Sequence, residues 1–435
     1  MKKTKIGVTA LIRNTFDFET AKRMYEQTKT QLLADRRFDW SFVEDAVMEP
    51  EDAERAGEQL RAEGVDAVVV LSATFHLGHL ALIINKLVNK PMLLWGYDEL
   101  PYNGGKIRLN SVCGVNLNAS NLYKAGVDSY CCHVGSSIDP EWLKAIDMCA
   151  ALDHAHVGLA GYRADGFFNL DTEDLSTYRN AGALVDHYEL SDLMTEPDEK
   201  LGFSPAEVRE IYDCSGISDA QLEKVSRLTQ SMEAFLVKNR LDALAIRCWP
   251  EFAKTFGCAP CGAMSLLGAK GYTLGCEGDL EGTLSMLCCN RISPLPAFLA
   301  DLSQVDITAD YALMWHCGVA AYPLWDNKSV RSLDTYFAGG RGVTADFVMR
   351  EGEVTIMRID TARGRTRLFM ERGTVIPMEK ELKGTYCKVR FDRSIGDILQ
   401  TVTEAGVAHH VAMIYGDHCE AFKKLARIKG FEVIE

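Results

Sequence analysis

Short apolar runs rich in β-branched residues recur along the first half of this chain, set apart by helical stretches of ten residues or more. KIGVTAL (5–11), VDAVVVLSA (65–73) and PMLLWG (91–96) alternate with ETAKRMYEQTKTQLLAD and LGHLALIINKLV. Unbroken apolar runs predict strands covered on both faces, and the strand–helix–strand order predicts a parallel sheet with crossover helices. HVGLAG (156–161) restarts the pattern. It continues through GALVDHYEL, a long polar helical region over 204–238, LDALAIRCW (241–249) and GYTLGCE (271–277). From about residue 300 to 390 the texture changes, as in TADFVMREGEVTIMRIDTARGRTRLFMERGTVI, where strands alternate with tight turns. The expected fold class is therefore α/β. Two Rossmann-like parallel-sheet domains (1–155 and 156–298) stand in series, followed by a β-rich, barrel-like C-terminal domain (299–435). A chain of 435 residues is long enough for this many cores.

The bulk numbers exclude several classes. A net charge of −14 argues against nucleic acid or an anionic membrane surface as a partner. No run of 18 apolar residues is present to span a bilayer. Arg13 cuts short the first apolar stretch, so the start reads as a strand and not as a signal peptide, and the expected location is cytoplasmic. The 14 cysteines then read as reduced thiols, mostly in the core. Cys258-Ala-Pro-Cys261 has no second C-x-x-C to make a zinc ribbon, and Cys131-Cys132 and Cys288-Cys289 read as packing residues. No G-x-G-x-x-G follows the first strand, and Gly339-Gly340-Arg341-Gly342 reads as a turn before strands. Neither feature supports a nucleotide-dependent oxidoreductase.

Two acids stand out. Glu277 falls at the carboxyl end of the strand GYTLGCE, where ligands of open α/β sheets bind. Asp301 sits inside AFLADL with apolar neighbours on both sides. An enclosed carboxylate needs a hydrogen bond, a counterion or a metal. Asp279 and Glu281 need less explanation, because acids in a first helical turn complement the helix dipole. A metal would also need nitrogen donors, for which His316, His410 and His418 are candidates. Each could equally be a satisfied core histidine.

These motifs resemble the L-fucose isomerase and L-arabinose isomerase superfamily of aldose–ketose isomerases. There a Glu at a strand-to-helix junction and an acid in a following "F-A-D" strand bind manganese. Here they are Glu277 in GCEGDLEGTLSML and Asp301 in FLADLSQ. The family's third ligand lies in a "G-x-x-H" motif before a hydrophobic strand, which Gly406-Val407-Ala408-His409-His410-Val411 resembles, and the resemblance assigns His410 in preference to His409. The arabinose branch adds a His on the strand after the acid, where His316 falls, and His316 is an expected substrate-binding residue. The resemblance extends to YFAGGRGVTADFVMREGEVTIMRI and covers the whole chain in layout, with sharp motifs from about 241 onward.

What the resemblance implies is a metal-dependent isomerase working through an ene-diolate, with Mn²⁺ or another divalent cation held by Glu277, Asp301 and His410. Glu277 and Asp301 are the expected proton carriers. Arg247 lies where the fucose enzymes carry a substrate-facing Gln. An Arg there either clamps an anionic sugar, sulfoquinovose being one that similar isomerases process, or forms a structural salt bridge. Trp249, and Trp315 beside His316, are candidates for stacking on the sugar. Arg13, Phe75 and His76 lie in loops after the first and third strands, where the family lets a neighbouring subunit cover the site in a homo-oligomer (trimer or hexamer). His76-Leu-Gly-His79 has metal-pair spacing but opens a helix in the other domain. The alternative from another class is a non-catalytic sugar-binding or sensor protein, since tandem Rossmann-like units also build such receptors.

Overall fold

The computed structural model describes residues 2–102, 104–195 and 201–435, and the chain divides into two compact units. The first comprises Met1–Ala150 with Ala421–Phe431, the second Ala151–Glu420 with Glu432–Glu435. In the first unit, β1 (Lys5–Leu11), β2 (Asp39–Phe42), β3 (Ala67–Ser72), β4 (Met92–Gly96) and β5 (Tyr130–Val134) form a parallel sheet in the order β2-β1-β3-β4-β5. Every residue of the central strand β3 is buried, as its unbroken apolar run requires. The late segment 421–431 is part of this unit. Lys424 pairs with Asp139 at 3.1 Å, and the Arg427 guanidinium lies 4.8 Å over the Tyr130 ring.

The second unit holds two sheets. β6 (His156–Ala160), β7 (Leu184–Tyr188), β8 (Ala243–Ile246) and β9 (Thr273–Cys276) are parallel, in the order β7-β6-β8-β9. The larger, mixed sheet contains β10 (Phe298–Asp306), β11 (Tyr311–His316), β12 (Ser332–Asp334), β13 (Thr344–Val348), β14 (Gly352–Ala362), β15 (Arg365–Ile376), β16 (Thr385–Phe391), β17 (His410–Tyr415) and β18 (Glu432–Ile434). Pairing runs β16-β11-β10-β17-β14-β15, and β15 pairs in turn with β16, so these six strands form a closed circuit. The polar region expected as one helix over 204–238 is two, Pro205–Ile211 and Asp219–Asn239. The break has a local cause. Asp213 accepts the Ser215 backbone N–H, and Ser218 with Gln221 forms a capping box that starts the second helix afresh.

Helix Leu280–Ile292 packs across β14 and β17 and is buried from Leu280 through Cys289. Its acids are therefore not a solvated first turn. Asp279 does cap the helix, accepting the Gly282 N–H at 2.8 Å, but it is fully buried and shares the buried Arg358 of β14 with Asp360. Glu281 accepts the Thr361 N–H at 3.0 Å. Burial pushes the Glu281 carboxyl up to about 7, against the opposing pull of Arg358 and Thr361. A carboxyl raised from 4.5 binds its proton more tightly folded than unfolded. Its contribution to stability is complete below about pH 4.5 and is lost as pH rises through 7. Glu281→Gln, neutral throughout, is expected to melt close to wild type at pH 4 and above it at pH 8. Thermal melts at the two pH values check this, and a constant difference would contradict it.

Candidate metal centre

Strand register builds one half of the site. β10 lies between β11 and β17, so Asp301 stands opposite Trp315 on one side and His410 on the other. Directly opposed residues of antiparallel strands share a face. The other half comes from the turn between β9 and helix Leu280–Ile292, where Glu277 and Gly278 are both left-handed, with φ of 63° and 72°. A β carbon on Gly278 would lie 2.1 Å from the Tyr162 carbonyl oxygen, so only glycine fits. Glu277 carries a side chain in the same region at a cost of about 1–3 kcal/mol. The turn is held by the Ala164 N–H, which donates to the Glu277 carbonyl at 3.0 Å.

The three side chains converge. His410, 1 % exposed, donates from Nδ1 to Asp279 Oδ2 at 2.9 Å. That bond places the lone pair on Nε2, which lies 3.4 Å from Glu277 Oε2 and 3.4 Å from Asp301 Oδ1. Both distances are long for hydrogen bonds. They are close to the roughly 3 Å between neighbouring donors around an octahedral ion with bonds of about 2.1 Å. Asp301 is less enclosed than its sequence neighbours suggest, with its side chain 25 % exposed, yet Oδ1 itself is shut from solvent and accepts no hydrogen bond. An orphaned, buried carboxylate oxygen beside an imidazole lone pair and a second carboxylate is what a divalent cation would satisfy. The donor set fits such an ion.

The carboxylates and imidazoles of the site also act on one another's charge. Burial works to raise the Glu277 carboxyl, but His409 and His410 outweigh it and hold the group well below the usual carboxylate range. Asp279 is likewise held down by Arg358 and His410 against its burial. Burial lowers the basicity of His410, and Asp279 and Glu277 raise it by more. The His316 ring, also lowered by burial, is raised by Cys317, Asp301 and Glu277. One nitrogen of His316, one of His410 and an oxygen of Glu277 lie within 4.8 Å of one another.

Other residues line or leave the site. The Trp249 indole N–H donates to Glu277 Oε1 at 3.2 Å, and its ring meets Phe167 edge-on at 5.8 Å. Phe167 also packs on His409, which is 40 % exposed, accepts from Asn169 Nδ2 at 3.0 Å and approaches Glu277 Oε2 to 3.7 Å. Trp315 stacks on His316. Phe167 and Asn169 carry no sequence signal that points to the site. The buried Arg358 does, because a cation in an apolar strand demands an acid as surely as Asp301 demands a partner. Arg247 pairs with Glu251, with contacts of 3.1 and 3.2 Å. His418 Nε2 meets the Tyr415 carbonyl at 3.0 Å, and Cys258 and Cys261 are buried thiols. Arg13, Phe75 and His76 belong to the first unit. The Arg13 guanidinium has no ion-pair partner among the described residues, and half-buried Phe75 packs edge-on against Phe16. His76 is fully buried, with Nδ1 on the Leu77 carbonyl and Nε2 against Ser72 and Asn118, and burial lowers its pKa to about 4. Neither of its nitrogens is free for a ligand.

Comparison with known proteins bears on this arrangement. The fucose/sulfoquinovose isomerase N-terminal domain matches residues 7–149, and the L-fucose isomerase C-terminal domain matches residues 316–435. A sulfoquinovose isomerase of Priestia megaterium (strain ATCC 12872 / QMB1551) is 26% identical over 445 residues, covering 99% of this chain and 99% of that protein. Sulfoquinovose isomerases of Alkalicoccus urumqiensis (24% identical, 98% of each chain) and Clostridium sp. (strain MSTE9) (26% identical, 80% and 81%) are also similar.

The Asp279–His410 bond offers a direct check. Asp279→Asn removes the charge that orients the ring and is expected to weaken Mn²⁺ binding about 10–100-fold, followed by the free-ion electron paramagnetic resonance signal. It also leaves Arg358 short of an anion and lowers the metal-free melting temperature. Unchanged Mn²⁺ affinity in the folded variant would contradict the orienting role.

Proposed function

The chain belongs to the L-fucose isomerase superfamily of aldose–ketose isomerases, and from that premise we propose that it interconverts sulfoquinovose, an aldohexose with a sulfonate at C6, and the corresponding 2-ketose. The observation that carries this reading is the convergence of Glu277, Asp301 and His410 in a chain that matches sulfoquinovose isomerases over 99% of its length. The same relatives leave a non-catalytic sugar receptor without support.

Glu277, Asp301 and His410 are the residues proposed to hold the metal, and two carboxylates with one imidazole suit Mn²⁺ or a similar oxygen-seeking ion. Bound there, such an ion supplies Lewis acidity toward the oxygens on C1 and C2 of the open-chain sugar. One carboxylate takes the proton from C2 and returns it to C1, and the other passes protons at the two oxygens. Trp249 steadies Glu277 through its indole N–H, and with Phe167 offers aromatic surface to the sugar's C–H faces. Arg247 would meet a sulfonate only by giving up Glu251. Arg13 is a cation without that competition. By the family's pattern, Arg13 and Phe75 are proposed as contacts from a neighbouring subunit of a cytoplasmic homo-oligomer.

The test is a panel of aldoses, sulfoquinovose with glucose and L-fucose, incubated with Mn²⁺-loaded protein and assayed for ketose. Conversion of sulfoquinovose well ahead of the neutral sugars is expected, with Glu277→Gln lowering kcat about 10²–10⁴-fold while circular dichroism stays unchanged. Preference for a neutral sugar would overturn the substrate, and turnover retained in Glu277→Gln would remove that residue from the chemistry.

A further inference from the structure

Two imidazoles face the same space, and their outer hydrogen bonds set them in opposite states. His410 gives its Nδ1–H to Asp279, which leaves a lone pair on Nε2 beside Glu277 and Asp301. His316 does the reverse. Its Nδ1 lies 3.2 Å from Cys317 Sγ and accepts the backbone N–H of Cys317 at 2.8 Å, and this shorter bond assigns the ring hydrogen to Nε2. Nε2 of His316 is buried and has no hydrogen-bond partner. Its ring centre is 5.4 Å from that of His410, and Trp315 stacks on its face at 6.3 Å with an interplanar angle of 7°. The indole in turn donates to the Lys383 carbonyl at 2.8 Å, which anchors the stack.

A buried N–H with no acceptor is costly unless something brings an acceptor to it. A metal ion does not, because an Nε2 that bears hydrogen has no lone pair to give. For His316 to become a ligand, the hydrogen would have to move to Nδ1 and displace the Cys317 N–H, orphaning a second buried donor. Turning the ring over would place a carbon against that same N–H. A sugar oxygen does bring an acceptor, and the oxygens on C1 and C2 gain negative charge as the proton leaves C2. A fixed donor at such an oxygen favours the transition state over the ground state. Resting on the isomerase reading above, we infer that His316 is a catalytic residue that donates its Nε2–H to the C1 or C2 oxygen of the sugar and is not a metal ligand. Of His316 and His410, one therefore serves the substrate and the other the metal.

The experiment separates the two roles. Mn²⁺ affinity is measured by electron paramagnetic resonance, without sugar, for wild type, His316→Gln, His316→Ala and His410→Ala. Turnover is then measured for each. Gln can carry an N–H to nearly the position of the histidine Nε2 and Ala cannot. The His316 variants are expected to bind Mn²⁺ within about 3-fold of wild type, while His410→Ala loses at least about 10-fold. kcat should fall about 100-fold in His316→Ala and recover in part in His316→Gln, with KM little changed. Loss of Mn²⁺ affinity in the His316 variants matching that of His410→Ala would overturn the inference, as would full kcat in His316→Ala. If wild type converts no aldose, the isomerase reading fails, yet the Mn²⁺ titration still decides whether His316 is a ligand. Should His316→Ala not fold, His316→Gln with wild-type affinity and reduced kcat supports the role, and weakened affinity refutes it.

Discussion

The bond between Asp279 and His410 is the contact on which the rest of the site depends. One buried carboxylate performs three tasks: it caps helix Leu280–Ile292, balances Arg358, and takes the Nδ1–H of His410. The last of these decides which nitrogen of His410 faces Glu277 and Asp301, and so whether that space can accept a cation at all. Because Asp279 lies two residues after Glu277, the same turn sets both a proposed ligand and the group that orients another. Arg358 makes the arrangement affordable, since an uncompensated carboxylate at that depth would protonate instead of steering the ring.

Strand pairing supplies the precision. Asp301 and His410 come from segments far apart in the chain, and antiparallel register sets them face to face. Glu277 arrives from a separate, parallel sheet through a strained left-handed turn whose neighbour must be glycine. A rigid sheet on one side and a closely fitted turn on the other can hold donor atoms near coordination spacing before any ion is present. Such preorganisation costs stability, seen in the φ of Glu277, in the orphaned Oδ1 of Asp301 and in the unmatched N–H of His316. All three lie within one small volume, as expected where strain serves a bound ligand.

Much of this was legible in the sequence, and the exceptions share a cause. Short β-branched runs set between helical stretches announced the parallel sheets, because that alternation requires crossover connections. Glu277 stood out at the carboxyl end of a strand and Asp301 by its apolar company, whereas His410 was set apart from His316 and His418 only by the resemblance to the isomerase family. Asp279 and Glu281 were explained by the helix dipole alone, because local pattern cannot reveal that β14 and β17 cover that helix. Arg358 was visible as an odd cation in EVTIMRIDTA, but its partner depends on which elements pack together, a long-range fact. Phe167 and Asn169 belong to a loop whose composition is ordinary, and only the fold brings it to His409. For Arg247 the sequence left a substrate contact and a salt bridge open, since whether Glu251, four residues on, comes within reach of its guanidinium depends on the bend between them. The break in the 204–238 region was written locally, in Asp213 and Ser218, and was masked by the helical character on either side.

The position of a bound cation is the most direct test of the site. A crystal of the protein soaked in Mn²⁺, with diffraction recorded on both sides of the manganese absorption edge, locates the ion independently of any activity. A single strong anomalous peak bonded to Glu277, Asp301 and Nε2 of His410 is expected. A peak bonded to other side chains, or none in this pocket at saturating Mn²⁺, would contradict that assignment.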